Sequence, residues 1–358
     1  FFLQYKMEGL DGQEILFAQN LASNVLKVRN STLNKLQKLV GSLDEESVTD
    51  EELLKLWKGL FYCMWMSDKP AVQQELALRI ASLLQYFSSP SSAFQFLRCF
   101  YITMNREWNG IDNLRLNKFY SLQRRMVEES LKIAISDIFN QKNEDDENDE
   151  EFTEKESECI FLWSASICES LNEDSCPAIV LHLCDVFIDS LDKALPSVKP
   201  GDQILSDMEM NGLLLPFYDF LQNSGDSRII KRVVQEVFNR VLTSKFEEKY
   251  DLDENEKFES DLERHNFMLS ATYKYFPYFD SIEEALLSLA TSKDTLEKNR
   301  TTIYKLIEKY QKIRVPSPTR TSSEKVIYKP LTSEEAKLLG KRKRKKHRKK
   351  PATKKPRK

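Results

Sequence analysis

The chain has 358 residues, 41% of them hydrophobic, which is enough for a substantial core in one large or two smaller domains. With only 9 glycines and 12 prolines it lacks the frequent turns of an all-β fold, and no run approaches the roughly 20 apolar residues of a membrane-spanning helix. The formal charge of −3 hides an asymmetry: residues 341–358 carry 13 Lys/Arg and no acid, leaving 40 basic against 56 acidic side chains, a net of −16, in the rest.

QEILFAQNLAS, residues 13–23, opens the helical pattern, with Ile15, Leu16, Ala18, Leu21 and Ala22 on one face. A second stripe follows in Val25, Val28, Leu33, Leu36 and Val40. Thr49 and Glu52 have capping-box spacing for a third helix that runs to about Met66. Pro70 opens a fourth helix to about Phe87, a fifth spans about 91–107, Gly110 breaks the pattern, and a sixth spans about 112–139. Ten acids among residues 144–158 read as a solvated loop. Helices resume over about 158–172, 177–194, 202–223 and 226–245. After a polar acidic stretch, two last helices are expected over about 281–292 and 295–313, the first capped by Ser281 and Glu284.

This gives an N-terminal helical repeat region (13–140), an acidic loop (141–157), a second helical region (158–245), an acidic linker (246–264), C-terminal helices (265–313) and a disordered basic tail (314–358). Helix pairs of roughly 35–45 residues predict an all-α, irregular HEAT- or armadillo-like repeat stack. An irregular helical bundle is the competing architecture.

WKGLFYCMWMSDKP, residues 57–70, is the densest apolar stretch. At about 100° per residue, Leu53, Leu54, Leu56, Trp57, Leu60, Phe61, Cys63, Met64 and Trp65 fill an arc of about 200°. A surface helix needs little more than 100°, so this one is expected to be covered on two sides, with both tryptophans in the core. The strip left over holds Lys55, Lys58 and Tyr62, a candidate contact surface.

In the sixth helix Lys118, Arg125 and Lys132 recur at i, i+7 and i+14, opposite Leu116, Tyr120, Val127, Leu131 and Ala134. Such a stripe suits contacts to phosphates; the competing reading is a solvated face neutralised by Glu128 and Glu129. The six cysteines form no CxxC pair and read as buried free thiols rather than zinc ligands. His182, in an apolar helix, reads as a core residue. There is no Gly-rich phosphate loop or GxSxG elbow, and no catalytic constellation, cofactor or metal site is expected. The run Lys341, Arg342, Lys343, Arg344, Lys345 and Lys346 fits a nuclear import signal, and the tail around it suits sequence-indifferent RNA binding.

KLWKGLFYCMWMSDKP (55–70) and NREWNGIDNLRLNKFY (105–120), in that order, resemble the ribosomal RNA processing protein 1 family of nucleolar proteins. FAQNLASN (17–24) fits its opening, and KNRTTIYKLIEKYQKI (298–313) precedes a basic tail as in other members. GLLLPFYDFL (212–221) and RIIKRVVQEVF (228–238) are weaker matches. Asn117 stands where Asp is expected, and the resemblance does not extend over 140–210. It implies a non-enzymatic, α-helical scaffold in pre-60S particles of the nucleolus. Such a scaffold would support processing of large-subunit pre-rRNA alongside Brix-domain and WD-propeller proteins. The resemblance supplies no catalytic residues. The alternative from a different class is a helical-repeat adaptor of nuclear transport or chromatin.

Overall fold

In the computed structural model the described residues are 25–41, 49–141, 158–172, 174–195, 205–245 and 272–313, with positions 16, 19–21, 23 and 269. The acidic loop, the acidic linker, most of the first expected helix and the basic tail lie outside them.

Helices dominate: α1 (Leu26–Val40), α2 (Asp50–Trp65), α3 (Pro70–Ala81), α4 (Pro90–Glu107), α5 (Leu116–Gln141), α6 (Glu158–Ser170), α7 (Pro177–Ala194), α8 (Asp207–Asn223), α9 (Ser227–Arg232), α10 (Asn239–Thr243), α11 (Phe279–Thr291) and α12 (Glu297–Ile313). A π-helical segment, Val233–Phe238, joins α9 to α10. Among the described residues the only β pairing is an isolated bridge between Lys245 and Tyr273.

From α2 to α7 each helix packs chiefly on the helix two positions on, and the last two, α11 and α12, pack on each other. In one layer α2 packs on α4, α4 on α6, α6 on α8 and α8 on α11; in the other α3 packs on α5, α5 on α7 and α7 on the α9–π segment. This alternation is how stacked helix pairs bury a continuous core, and that core runs from Leu21 to Tyr310. Ion pairs tie neighbours at its edge: Arg98 of α4 reaches Asp50 of α2 (2.5 Å) and Glu169 of α6 (3.6 Å), and Arg232 of α9 reaches Asp185 of α7 (2.6 Å).

Several boundaries follow from local chemistry. The Thr49 side chain accepts from the Glu52 backbone N–H (3.3 Å) and the Glu52 carboxylate accepts from that of Thr49 (3.1 Å), the expected capping box. The second box differs from expectation. The helix starts at Phe279, not Ser281, because the 3₁₀ turn Phe276–Tyr278 feeds straight into it, and Ser281 Oγ donates to the Tyr278 carbonyl (3.1 Å). A box not foreseen, Ser206 with Glu209, starts α8. The fourth expected helix ends at Ala81 and continues as a 3₁₀ turn, Ser82–Tyr86. The sixth starts at Leu116 because Asp112 first accepts from the backbone N–H of Leu114 and Arg115 in a turn.

Pro216 lies inside α8 and has no N–H to offer the carbonyl four residues earlier, that of Gly212. Ser164 of α6 supplies the donor instead, its hydroxyl 2.5 Å from that carbonyl. The contact requires close approach: a Cβ on residue 212 would stand 2.8 Å from Ile160 Cγ2. Gly→Ala in a helix ordinarily gains up to about 1 kcal/mol, but overpacking here costs about 1–3 kcal/mol. We therefore expect Gly212→Ala to be destabilising. Ser164→Ala should also cost about 1–3 kcal/mol by stranding a buried carbonyl. Urea midpoints of the two variants check this, and a stabilised Gly212→Ala would refute the close-approach account.

Candidate nucleic-acid and partner interface

The strip on α2 is not a free surface. Tyr62 is 7% exposed and its ring meets Phe61 edge-on at 5.6 Å; Gly59 is buried too. Lys55 and Lys58 are half-buried, and Lys55 pairs with Glu51 (3.3 Å). The helix is covered over more of its circumference than two stacking neighbours require, so of the three predicted contact residues only the lysines reach solvent.

The stripe on α5 is also altered. Lys118 is 4% exposed, and its ammonium donates to the carbonyls of Trp65 (2.5 Å) and Ser67 (2.7 Å). These carbonyls close the C-terminal end of α2, where a helix leaves acceptors unsatisfied and favours a cation. Burial, reinforced by the Arg115 charge, pushes the Lys118 ammonium down to about 8. Lys118 is thus a structural cap rather than a phosphate contact. Its role depends on a helix end more than 50 residues away in sequence, which helical periodicity does not register. Arg125 and Lys132 reach solvent but are paired, with Glu128 (2.9 Å) and Glu129 (2.7 Å), and Lys193 of α7 approaches Glu128 at 3.7 Å. The run Lys341–Lys346 lies outside the described residues.

Cys63, Cys99, Cys159 and Cys184 are buried, as expected, and Cys168 and Cys176 are half-buried; none of the six is in a disulfide. His182 Nε2 lies 2.9 Å from the Tyr120 carbonyl, and burial lowers its pKa.

A basic face not singled out by motif reading lies on α12. Lys298, Lys305, Lys309 and Lys312 are exposed and share one side of the helix. Asn299 anchors that helix by donating to the carbonyls of Leu221 (3.1 Å) and Ser224 (3.0 Å), and Tyr310 by donating to that of Phe238 in the π segment (3.1 Å). Between these two anchors α12 stands off from α9, leaving a cleft of about 450 Å³ lined by Lys231, Gln235 and Asn239 on one wall and Lys298, Thr302 and Lys309 on the other. The lysine spacing was legible in the sequence; the opposite wall was not.

The sequence model of a family described as nucleolar protein, Nop52, matches residues 12–307, and so runs through 140–210, where the motifs gave no resemblance. Among curated proteins, the ribosomal RNA processing protein 1 homolog of Dictyostelium discoideum is 32% identical over 319 residues, 86% of this chain and 60% of that protein. Homolog A of Mus musculus is 36% identical over 234 residues, 64% of this chain and 43% of that protein. Homolog A of Homo sapiens is 32% identical over 232 residues, 64% and 46% respectively. The chain thus spans 60% of the first relative and less than half of the other two. Because the family match takes in nearly every described helix, from before α1 into α12, the chain belongs to the Nop52 family of nucleolar proteins.

Proposed function

We propose that this protein is a non-enzymatic assembly scaffold of the nucleolus, supporting rRNA processing in precursors of the large ribosomal subunit. The observation that carries this is the family match over the helical stack, together with relatives named for ribosomal RNA processing. The charge distribution supports a scaffold that attaches chiefly through proteins. Residues 1–340 carry a net of −16, nearly all of it in the acidic stretches 144–158 and 246–264, a charge that disfavours bare RNA, while ion pairs among the described residues tie helix to helix. Pre-60S particles are the expected setting, with Brix-domain and WD-propeller assembly factors as the protein neighbours. Pre-rRNA is met at restricted basic sites, and the Lys341–Lys346 run directs nuclear entry.

Depletion tests this reading. Large-subunit rRNA precursors should accumulate and mature large subunits fall, with small subunits largely intact. The protein should comigrate with large-subunit precursors on gradients. Removing 341–358 should reduce nuclear accumulation and leave the melting temperature unchanged. Selective loss of small subunits, or loss of neither, would overturn the proposal in favour of a transport or chromatin adaptor.

A further inference from the structure

We propose that the cleft between the α9–π segment and α12 is a binding groove for the phosphate backbone of single-stranded RNA. The inference rests on the proposed role in pre-rRNA processing and names where the helical body meets RNA.

Among the described residues lining the cleft, none is acidic. Lys298 donates to the Gly225 carbonyl (2.6 Å) and Lys309 to Asn239 Oδ1 (3.1 Å). Each bond fixes an ammonium in place and uses one of its three donors, leaving two for a ligand. Lys231, Lys305 and Lys312 are exposed and have no ion pair among the described residues. From Lys298 to Lys312 the stripe extends about 21 Å along α12 at about 1.5 Å per residue, beyond both ends of a compact ligand. That suits a chain whose charges recur along its length. Of the acids on α11 and α12, Glu308 borders the stripe beside Lys305 and Lys312 but makes no ion pair among the described residues, Glu297 pairs with Arg300 (3.0 Å), and Glu283 is held by Gln311 (2.8 Å).

The lining chemistry favours RNA over an acidic protein segment. The arginines that would grip carboxylates in a two-pronged fork are engaged elsewhere. Arg228 pairs with Asp226 (2.7 Å), and Arg300 donates to the carbonyls of Ala290 (2.5 Å) and Ser292 (2.7 Å). What remains are lysines, which meet phosphates as point charges. Gln235 and Thr302 both donate and accept, matching phosphate oxygens and the 2′-hydroxyl, whereas carboxylates only accept. Among the described residues no aromatic side chain lines the cleft, so bases are not stacked there and binding is indifferent to sequence.

The test measures binding of a labelled 20-nucleotide oligouridylate to the full chain from low to high salt. The affinity of single strands falls with a slope of about −0.7 per phosphate neutralised. A Lys231→Gln/Lys298→Gln/Lys305→Gln/Lys309→Gln variant should therefore flatten the slope by about 3. Lys298 and Lys309 also hold protein atoms, so a second variant, Lys231→Gln/Lys305→Gln/Lys312→Gln, changes only exposed lysines without such bonds. It should flatten the slope by about 2 with an unchanged melting temperature. The tail is present in every protein, so its contribution cancels. An unchanged slope in the folded triple variant overturns the proposal. So does loss of binding to a peptide of sequence EDDENDEEFTEKESE with RNA binding intact, which would assign the groove to acidic protein segments. Gradient comigration of the unmodified protein separates the two readings. A flattened slope without comigration sinks the assembly role and keeps the groove, and comigration with an unchanged slope does the reverse.

Discussion

Trp57→Ala should lower the stability of this protein by about 3–5 kcal/mol, a large share of the roughly 5–15 kcal/mol that holds a typical domain together. Trp57 is 1% exposed. Its ring stacks at 4.5 Å on Phe96 and lies 5.0 Å from Phe100, both on α4, and its indole N–H donates to the Phe96 carbonyl (2.8 Å). Truncation opens a cavity between α2 and α4 that backbone-anchored neighbours cannot close, and it removes a buried donor. Trp65→Ala should cost clearly less. Trp65 was expected to be equivalent in the core, but it is half-buried at the end of α2, 5.9 Å from Phe61 and 6.3 Å from Phe119, with the Arg115 guanidinium 4.9 Å from its ring. Urea unfolding of both variants measures the difference. Equal losses would mean that the two rings share one environment, contrary to the packing described.

Alkaline pH should expose a second large effect. Burial pushes the Cys63 and Cys99 thiols from 9.0 up to about 12. The folded chain keeps protons that the unfolded chain loses, so this stability is fully present below pH 9 and is lost as pH rises toward 12. At pH 10.5 the loss is about 2 kcal/mol for each thiol. Lys118 acts in the opposite sense. Its ammonium, lowered from 10.5 to about 8, leaves the unfolded chain holding more protons between those values, so stability there rises with pH. Melting curves at pH 8 and 10.5 separate the two. A Cys63→Ala/Cys99→Ala variant should lose about 4 kcal/mol less than the parent over this interval. Lys118→Met should lose more than the parent over the same interval. Lys118→Met should also be less stable at neutral pH by about 1.5–3 kcal/mol, because the Trp65 and Ser67 carbonyls lose a charged donor. A Cys63→Ala/Cys99→Ala variant with the parental pH profile would show that water reaches both sites.

The sequence by itself determined the helices, because helical spacing, capping residues and proline positions act within a few residues of one another. The Thr49–Glu52 box, Pro70 at a helix start, and the broad apolar arc around Trp57 were all legible there. The two motifs at 55–70 and 105–120 pointed to the family that the match over residues 12–307 establishes. The lysine spacing of α12 was equally open to reading. What only the tertiary structure decided is which side of each helix meets which neighbour. Lys118 counts as a surface cation on a single helix, yet it caps α2; Tyr62 falls on the polar strip of α2, yet it is buried. Ser164, Gly212 and Pro216 form one unit only because α6 and α8 come into contact. The groove exists only because Asn299 and Tyr310 hold α12 beside a π segment some seventy residues earlier in the chain. Periodicity fixes the direction of a side chain relative to its own helix axis. Whether that direction ends in water, a carbonyl or another ring depends on long-range stacking, and the pattern along one helix carries no record of its partner.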